Sequence, residues 1–249
     1  MSKFSSKTTS FFSSLIIDFN SLEEFEIWRR NFLQWLAQLA NQPIPAEINP
    51  GKVVFDSECE WHGGRRIELS WQNPMYNLKI PATILEPDPA VRNNAGLVCQ
   101  HGHGWFGRRP TLGERSSDEM IAEIDQYDYD FSLSMMRAGY TIIALDLFNF
   151  GEREIIKRPG GRDKCDMVEI FLQLFNINLM ALKIAEIRQA ITVLSKYKNV
   201  DPDRIGMVGL SQGGRMTMFT TALDQRIKTA VVSGSCNTFL DRLTLRSGA

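Results

Sequence analysis

The sequence predicts an α/β domain whose sheet is mostly parallel, starts with antiparallel strands and carries helices on both faces. From Ala95 onward, apolar runs of strand length alternate with helical segments, which is the order of a parallel sheet with crossover helices. Two earlier runs flank His62-Gly63-Gly64, a hairpin signal that places antiparallel strands first. A glycine-rich turn over residues 209–214 joins an apolar strand to a helix and fits the same class.

The composition is that of a globular protein with enough residues to bury a substantial core in one domain. Of 249 residues, 43% are hydrophobic and 23% charged, and the net charge is -1. This balance predicts neither a nucleic-acid nor an anionic-membrane partner, and no stretch approaches the length of a membrane span. The four cysteines are scattered, and we interpret them as buried free thiols, which favours a cytoplasmic location.

Residues 1–20 are rich in serine and threonine and are predicted to form a disordered tail, with one domain over residues 21–249. The apolar run in the tail is interrupted by serines and has no small-residue cleavage site, so it does not fit a signal peptide. Ser21 and Glu24 have the spacing of a capping box. They predict an amphipathic helix that ends near Asn41 and docks on the domain.

The rest of the chain divides into strands and helices by its apolar pattern. Strands are predicted over residues 53–61, 66–71, 78–85, 95–100, 140–147, 204–208 and 227–233. Helices are predicted over residues 117–138, 166–197 and 214–223. The stretch over 166–197 is one helix or two with a break near residues 176–178.

Three polar positions at strand ends have simple structural interpretations. His62 is predicted to be an exposed turn residue, and Asp146 to stabilise the turn after its strand rather than to act as a catalytic carboxylate. Two histidines in the run His101-Gly102-His103-Gly104 could suggest a metal site, but no carboxylate or cysteine with ligand spacing accompanies them. Arg108 and Arg109 follow this loop and could favour an anionic substrate, although exposed arginines are usually solvated.

The turn after the strand at 204–208 contains the candidate nucleophile. Gly209-Leu210-Ser211-Gln212-Gly213 fits the pattern G-x-S-x-G, in which a strained turn projects the serine hydroxyl clear of the sheet. Close packing of strand against helix explains glycine at 209, 213 and 214. Alternatively, this is a glycine-rich turn with a solvent-facing serine or a phosphate-binding loop, although the Walker lysine is absent.

A second loop, at the end of the strand over residues 95–100, complements the serine turn. A glycine-rich loop at the carboxyl end of a buried strand is where open α/β sheets place binding groups. We interpret His101-Gly102-His103-Gly104 as an oxyanion loop. In this interpretation a backbone N–H near His103 and the N–H of Gln212 point at the carbonyl oxygen under attack.

Together, H-G-H-G, D-L-F-N-F-G-E-R, D-P-D-R-I-G-M-V-G-L-S-Q-G-G and D-Q-R-I-K-T-A-V-V-S-G resemble the α/β-hydrolase superfamily. The chain is most similar to its dienelactone hydrolase and acetyl xylan esterase-like group, over residues 53–239. The resemblance implies hydrolysis of carboxylic esters, such as small acyl or acetyl esters, through an acyl-enzyme. Ser211 matches the nucleophile, and the N–H groups of His103 and Gln212 match the oxyanion donors. No metal or organic cofactor is implied.

The sequence departs from this pattern in its histidines. The superfamily places the acid and the histidine after the serine, whereas His62, His101 and His103 all precede Ser211. We therefore expect a C-terminally truncated chain that lacks the last strands, is inactive as given, and exposes the strand around Ala230 as an apolar edge. The alternative is a non-catalytic protein that uses the hydrolase fold to bind a ligand or a partner.

Overall fold

A computed structural model of the chain describes residues 20–39, 41, 48–73, 76–155 and 164–236, so the predicted tail lies outside the described residues except for residue 20. The strands are β1 (Val54–Trp61), β2 (Gly64–Gln72), β3 (Lys79–Glu86), β4 (Gly96–Gln100), β5 (Thr141–Leu145), β6 (Ile205–Leu210) and β7 (Ile227–Ser233). The α-helices are α1 (Leu22–Leu39), α2 (Asp118–Tyr127), α3 (Phe131–Arg137), α4 (Lys164–Gln173), α5 (Leu179–Ser195) and α6 (Gln212–Leu223).

The strands described form one mixed sheet in the order β1-β2-β3-β5-β4-β6-β7. Pairing is antiparallel from β1 to β3 and between β3 and β5, and it is parallel among β5, β4, β6 and β7. The hairpin turn between β1 and β2 has positive φ at His62 (47°) and Gly63 (85°), as a tight two-residue turn requires. The predicted α/β class with an antiparallel start is confirmed.

Side chains alternate between two cores, one on each face of the sheet. Val98, Ile143 and Met207 pack on the face covered by α1, α5 and α6. Their neighbours Cys99 and Ile142 point to the opposite face, where Leu133 and Met136 of α3 cover them. Because parallel strands are buried on both faces, their sequences are continuous apolar runs, and these strands could therefore be predicted from the sequence.

The N-terminal helix α1 begins at the predicted capping box. Ser21 Oγ accepts the N–H of Glu24 at 3.1 Å, and Glu24 Oε2 accepts the N–H of Asn20 at 2.8 Å. Leu36 and Ala37 belong to the core on the face of the sheet covered by α1, α5 and α6. The prediction that this helix docks on the domain is therefore confirmed.

The expectation of one continuous helix over residues 117–138 is wrong. Asp128 lies in the left-handed region with φ 47°, and its N–H donates to the carbonyl of Ile124, which ends α2. Aspartate tolerates this conformation better than most residues, so a single Asp can end a helix without glycine or proline. For residues 166–197, the alternative of two helices with a break near residues 176–178 is confirmed: Asn178 Oδ1 accepts the N–H of Ala181 at 2.9 Å and starts α5.

The cysteines are free, as expected, but they are not uniformly buried. Cys99 is buried, Cys165 is partly buried, and Cys59 and Cys236 are exposed. Cys59 lies on β1, an edge strand of the described sheet that is exposed along seven of its eight positions. The strand-like pattern of that run therefore did not indicate burial of Cys59. Among the described residues, we find no helix with the length and hydropathy of a membrane span.

The last strand, β7, forms the other edge of the described sheet. Lys228, Thr229, Ala230 and Val231 are exposed, and 54% of Val231 is accessible. The expectation of an exposed strand around Ala230 is confirmed for the described residues. Bare apolar strand edges favour pairing between chains, so this edge is an association hazard.

We expect the chain to associate in a concentration-dependent way, and we expect Val231→Lys to reduce this association because a charge opposes strand pairing at the edge. Sedimentation velocity over a concentration series measures the effect. Val91→Lys is the matched control, because Val91 is nearly as exposed, at 51%, but lies in a turn before β4. A monodisperse monomer of the unmodified chain at all concentrations would contradict the prediction.

Candidate active site

Ser211 occupies the sharp turn between β6 and α6. Its backbone has φ 56° and ψ -114°, outside the regions that non-glycine residues favour. The turn is held by hydrogen bonds, since Ser211 N–H donates to Ser233 O at 2.8 Å and Ser211 O accepts the N–H of Arg215 at 3.0 Å. Ser211 is exposed, so the strained turn presents a serine at the carboxyl edge of the sheet.

The three glycines around Ser211 are positions of close backbone approach. A Cβ at Gly209 would lie 2.3 Å from the carbonyl of Gly213, and one at Gly213 would lie 2.2 Å from the carbonyl of Gln100. At Gly214 the clash would be with the carbonyl of Ser233, at 2.5 Å. Each obstacle is backbone, which cannot rotate away as a side chain can, so the tight strand-to-helix turn requires glycine at all three positions.

The loop after β4 lies beside the serine turn. A Cβ at Gly102 would lie 3.5 Å from the Cβ of Ser211. The N–H of Gly102 donates a hydrogen bond to the hydroxyl of Tyr129, a residue that is 3% exposed. Tyr129 therefore fixes the backbone next to the candidate nucleophile. Sequence reasoning missed this residue, because it lies in the short connection between α2 and α3 and matches no motif.

His101 joins the loops after β4 and β5 and is fully buried. The N–H of Leu147 donates to His101 Nε2 at 3.0 Å, so Nδ1 carries the ring proton and faces the carbonyl of Gly102 at 2.7 Å. Burial lowers the pKa of His101 from 6.5 to about 4, against the opposing effects of Asp146 and the Gly102 carbonyl. His101 is therefore a neutral structural link at neutral pH.

The two predicted oxyanion donors lie on the elements that meet at Ser211. Gln212 is the first residue of α6, where backbone N–H groups and the helix dipole favour negative charge. Its own N–H has no hydrogen-bond partner among the described residues. His103 directly follows Gly102, and its exposed ring points away to Cys165, with Nε2 3.3 Å from Sγ.

Asp146, at the end of β5, binds the backbone of two loops. It accepts the N–H of Arg108 at 2.8 Å and that of Glu152 at 3.0 Å, which confirms its predicted turn-stabilising role. It also pairs with the Arg108 guanidinium at 2.6 Å.

The interpretation of Arg108 as an exposed surface arginine is wrong. Only 2% of its side chain is exposed, and it forms ion pairs with Glu68 and Glu152 as well as with Asp146. A buried guanidinium needs carboxylates on several sides to offset its lost hydration, and the sequence separates these partners too widely to reveal them. Arg108 is thus committed to the scaffold, whereas Arg109 is 36% exposed and pairs with Glu114.

Comparison with known families matches the chain to the acetyl xylan esterase (AXE1) model over residues 183–237, the segment that contains Ser211. The Bacillus subtilis (strain 168) protein named "Putative hydrolase YtaP" is 31% identical over 156 residues. That alignment covers 61% of this chain and 47% of the relative.

Solved structures with the same fold include a Bacteroides fragilis NCTC 9343 protein described as a "putative acetyl xylan esterase (BF1801)". It superposes with a TM-score of 0.72 at 21% identity, over 86% of this chain and 54% of that one. Acetyl xylan esterase 1 from Thermoanaerobacterium sp. JW/SL YS485 gives a TM-score of 0.54 at 16% identity, over 81% and 57%.

The chain thus spans about half the length of these relatives. The sheet order and the superpositions agree that the chain has the α/β-hydrolase fold. Its segment over residues 183–237, which contains the strained serine turn, is similar to acetyl xylan esterases.

Proposed function

We propose that this protein is the serine-bearing part of an ester hydrolase that cleaves small acyl esters, acetyl esters among them, by an acyl-enzyme route. The observation that carries the proposal is the backbone of Ser211, at φ 56° on an exposed turn beside a glycine-rich loop. Maintaining such a conformation costs of order 1–3 kcal/mol, and a turn without a chemical task has no reason to retain a serine there.

In the proposed reaction Ser211 Oγ attacks the ester carbonyl, and negative charge develops on the carbonyl oxygen. The N–H groups of Gln212 and His103 stabilise that charge, and the alcohol then leaves. Gln212 suits this task because its N–H lies at the start of α6 and is unpaired among the described residues. Water then hydrolyses the acyl-enzyme and releases the acid.

The base that takes the Ser211 proton has to be a group other than the three histidines in their observed positions. Both ring nitrogens of His101 are engaged, with Leu147 N–H and Gly102 O. His62 lies in the β1–β2 turn, at the end of the sheet opposite Ser211. His103 directs Nε2 to Cys165, and among the described residues no hydrogen bond involves Ser211 Oγ. A serine without a base is a poor nucleophile.

We expect a fluorophosphonate probe to label Ser211 slowly, because no base among the described residues contacts its hydroxyl. Added imidazole supplies a proton acceptor from solution, and we expect it to raise the labelling rate by at least about tenfold. This increase is smaller than the effect of a base that the protein itself positions. Labelling is measured by peptide mass spectrometry. Ser211→Ala should abolish it, whereas Ser134→Ala, which changes an exposed serine on α3, should have no effect.

The same experiment tests the alternative of a non-catalytic fold. If Ser211 is labelled no faster than exposed serines such as Ser134, with and without imidazole, the serine is not activated and the esterase proposal is wrong. Ligand or partner binding then becomes the leading account of this chain.

The role assigned to His101 predicts a specific pH dependence of stability. The unfolded chain takes up a proton at His101 below pH 6.5, whereas the folded chain does not until about pH 4, so folding is weakened as the pH falls through this window. We expect a loss of about 2 kcal/mol between pH 7 and pH 5 from this group.

Urea unfolding at the two pH values measures this loss, and His101→Gln should remove it. His62→Gln, which changes an exposed histidine on the hairpin turn, is the matched control and should keep the full pH dependence. An equal loss of stability in His101→Gln and the unmodified protein would show that His101 is not held neutral.

A further inference from the structure

Cys165 lies in a cluster of reactive side chains next to the β4 loop. It is the second residue of α4, and its sulfur contacts two nitrogen groups from other elements. His103 Nε2 lies 3.3 Å from Sγ, and Lys183 Nζ, from the first turns of α5, lies 3.9 Å from it. Three separate segments therefore converge on one thiol.

The Lys183 ammonium is unusually placed for a lysine. The residue is 2% exposed, and the thiol of Cys165 is its one hydrogen-bond partner among the described residues. Burial lowers the pKa of Lys183, while interaction with Cys165, Glu186 and Glu169 opposes this shift. Of these carboxylates, Glu186 is already paired with Arg153, at 2.6 Å. Because a buried cation is costly unless an anion pairs with it, negative charge on the Cys165 sulfur would stabilise the Lys183 ammonium.

The ring of Phe150 backs the cluster. Its centroid lies 5.1 Å from Lys183 Nζ and 5.1 Å from the ring of His103. Phe150 is buried, whereas Cys165 is partly exposed and His103 is exposed, so solvent reaches the cluster. Reactive cysteines typically lie near Lys or His side chains or at a helix N-terminus, and Cys165 has all three neighbours.

We propose that Cys165 is a reversible S-thiolation site that exchanges with small-molecule disulfides. The sulfur of Cys165 attacks one sulfur of the disulfide, the reagent's S–S bond breaks, and a mixed disulfide forms on Cys165. The second half leaves as a thiolate and takes up the proton lost by Cys165. The protein thiol is oxidised and half of the reagent is reduced, so no other oxidant is needed.

In the folded state, the second sulfur of a disulfide at Cys165 has to come from an external reagent and not from another cysteine of the chain. All four cysteines are free, and the other three lie on β1, within β4 and after β7. Cys99 is buried on β4, and burial raises the pKa of its thiol to about 12, which leaves it inert.

The adduct would lie against the loop that contains Gly102, the neighbour of Ser211. It would also compete for the contact that orients His103. A consequence for ester hydrolysis rests on the proposed function, whereas formation of the adduct does not. The test therefore measures the adduct itself, so that failure of one proposal leaves the other intact.

The experiment exposes the native chain to glutathione disulfide and follows the mixed disulfide at each cysteine by peptide mass spectrometry. We expect Cys165 to react at least about tenfold faster than Cys59 and Cys236, although both are more exposed. Cys236 is the stricter comparison, because Glu58 and Glu60 flank Cys59 and by themselves disfavour its reaction with an anionic disulfide. Cys99 should stay unmodified and serves as the internal reporter of folding.

Lys183→Met should slow the reaction of Cys165 by about tenfold and leave Cys59 and Cys236 unchanged, because it removes the ammonium and keeps the side chain's bulk. Lys228→Met, at an exposed lysine on β7, is the matched control. If Cys99 becomes reactive in Lys183→Met, that variant is not correctly folded, and His103→Gln is used in its place.

The proposal would be overturned if Cys165 reacted no faster than Cys59 and Cys236. It would also be overturned if Cys165 reacted at an unchanged rate in whichever of the two variants keeps Cys99 protected.

Discussion

The backbone of Ser211, held at φ 56° between β6 and α6, is the constraint on which the rest of the site depends. To make this turn, the start of α6 approaches the ends of β4, β6 and β7 so closely that Gly209, Gly213 and Gly214 have no space for a Cβ. The hydrogen bond from Ser211 N–H to Ser233 O ties the turn to β7. Contacts with three strands thus hold Ser211 in its strained conformation. Such a conformation persists only where the surrounding structure enforces it.

Two buried polar links hold the neighbouring loops at the same edge of the sheet. His101 joins the β4 loop to Leu147, and Asp146 with Arg108 joins the β5 end to the loop that follows β4. Both links bury groups that water would otherwise solvate, so they act only while each partner is in place. They commit His101 and Arg108 to structure, and they lie beside Ser211, Gln212 and His103, the groups that we propose contact the substrate. Cys165 and Lys183 border this region on its α4 and α5 side.

The strands and the serine turn could be predicted from sequence because each depends on a local pattern. Continuous apolar runs gave the buried strands, and G-x-S-x-G gave the turn. Asp128 shows one limit, since a left-handed aspartate ended a helix within an unbroken apolar pattern. Contacts between distant residues show the other: Tyr129 with Gly102, Arg108 with Glu68, and Lys183 with Cys165 depend on the folded topology. The expectation that Cys59 is buried was wrong because a strand-like pattern does not distinguish an uncovered edge strand from a buried one.

The most direct test of this account is the stability of Ser211→Gly relative to Ser211→Ala, measured by urea unfolding. Alanine keeps the Cβ and therefore the strain, whereas glycine adopts positive φ without cost. If the turn is strained as described, the glycine variant should be more stable than the alanine variant by about 1 kcal/mol or more. A glycine variant less stable by the roughly 0.5–1 kcal/mol that glycine ordinarily costs would contradict the central claim that the fold sustains a strained serine.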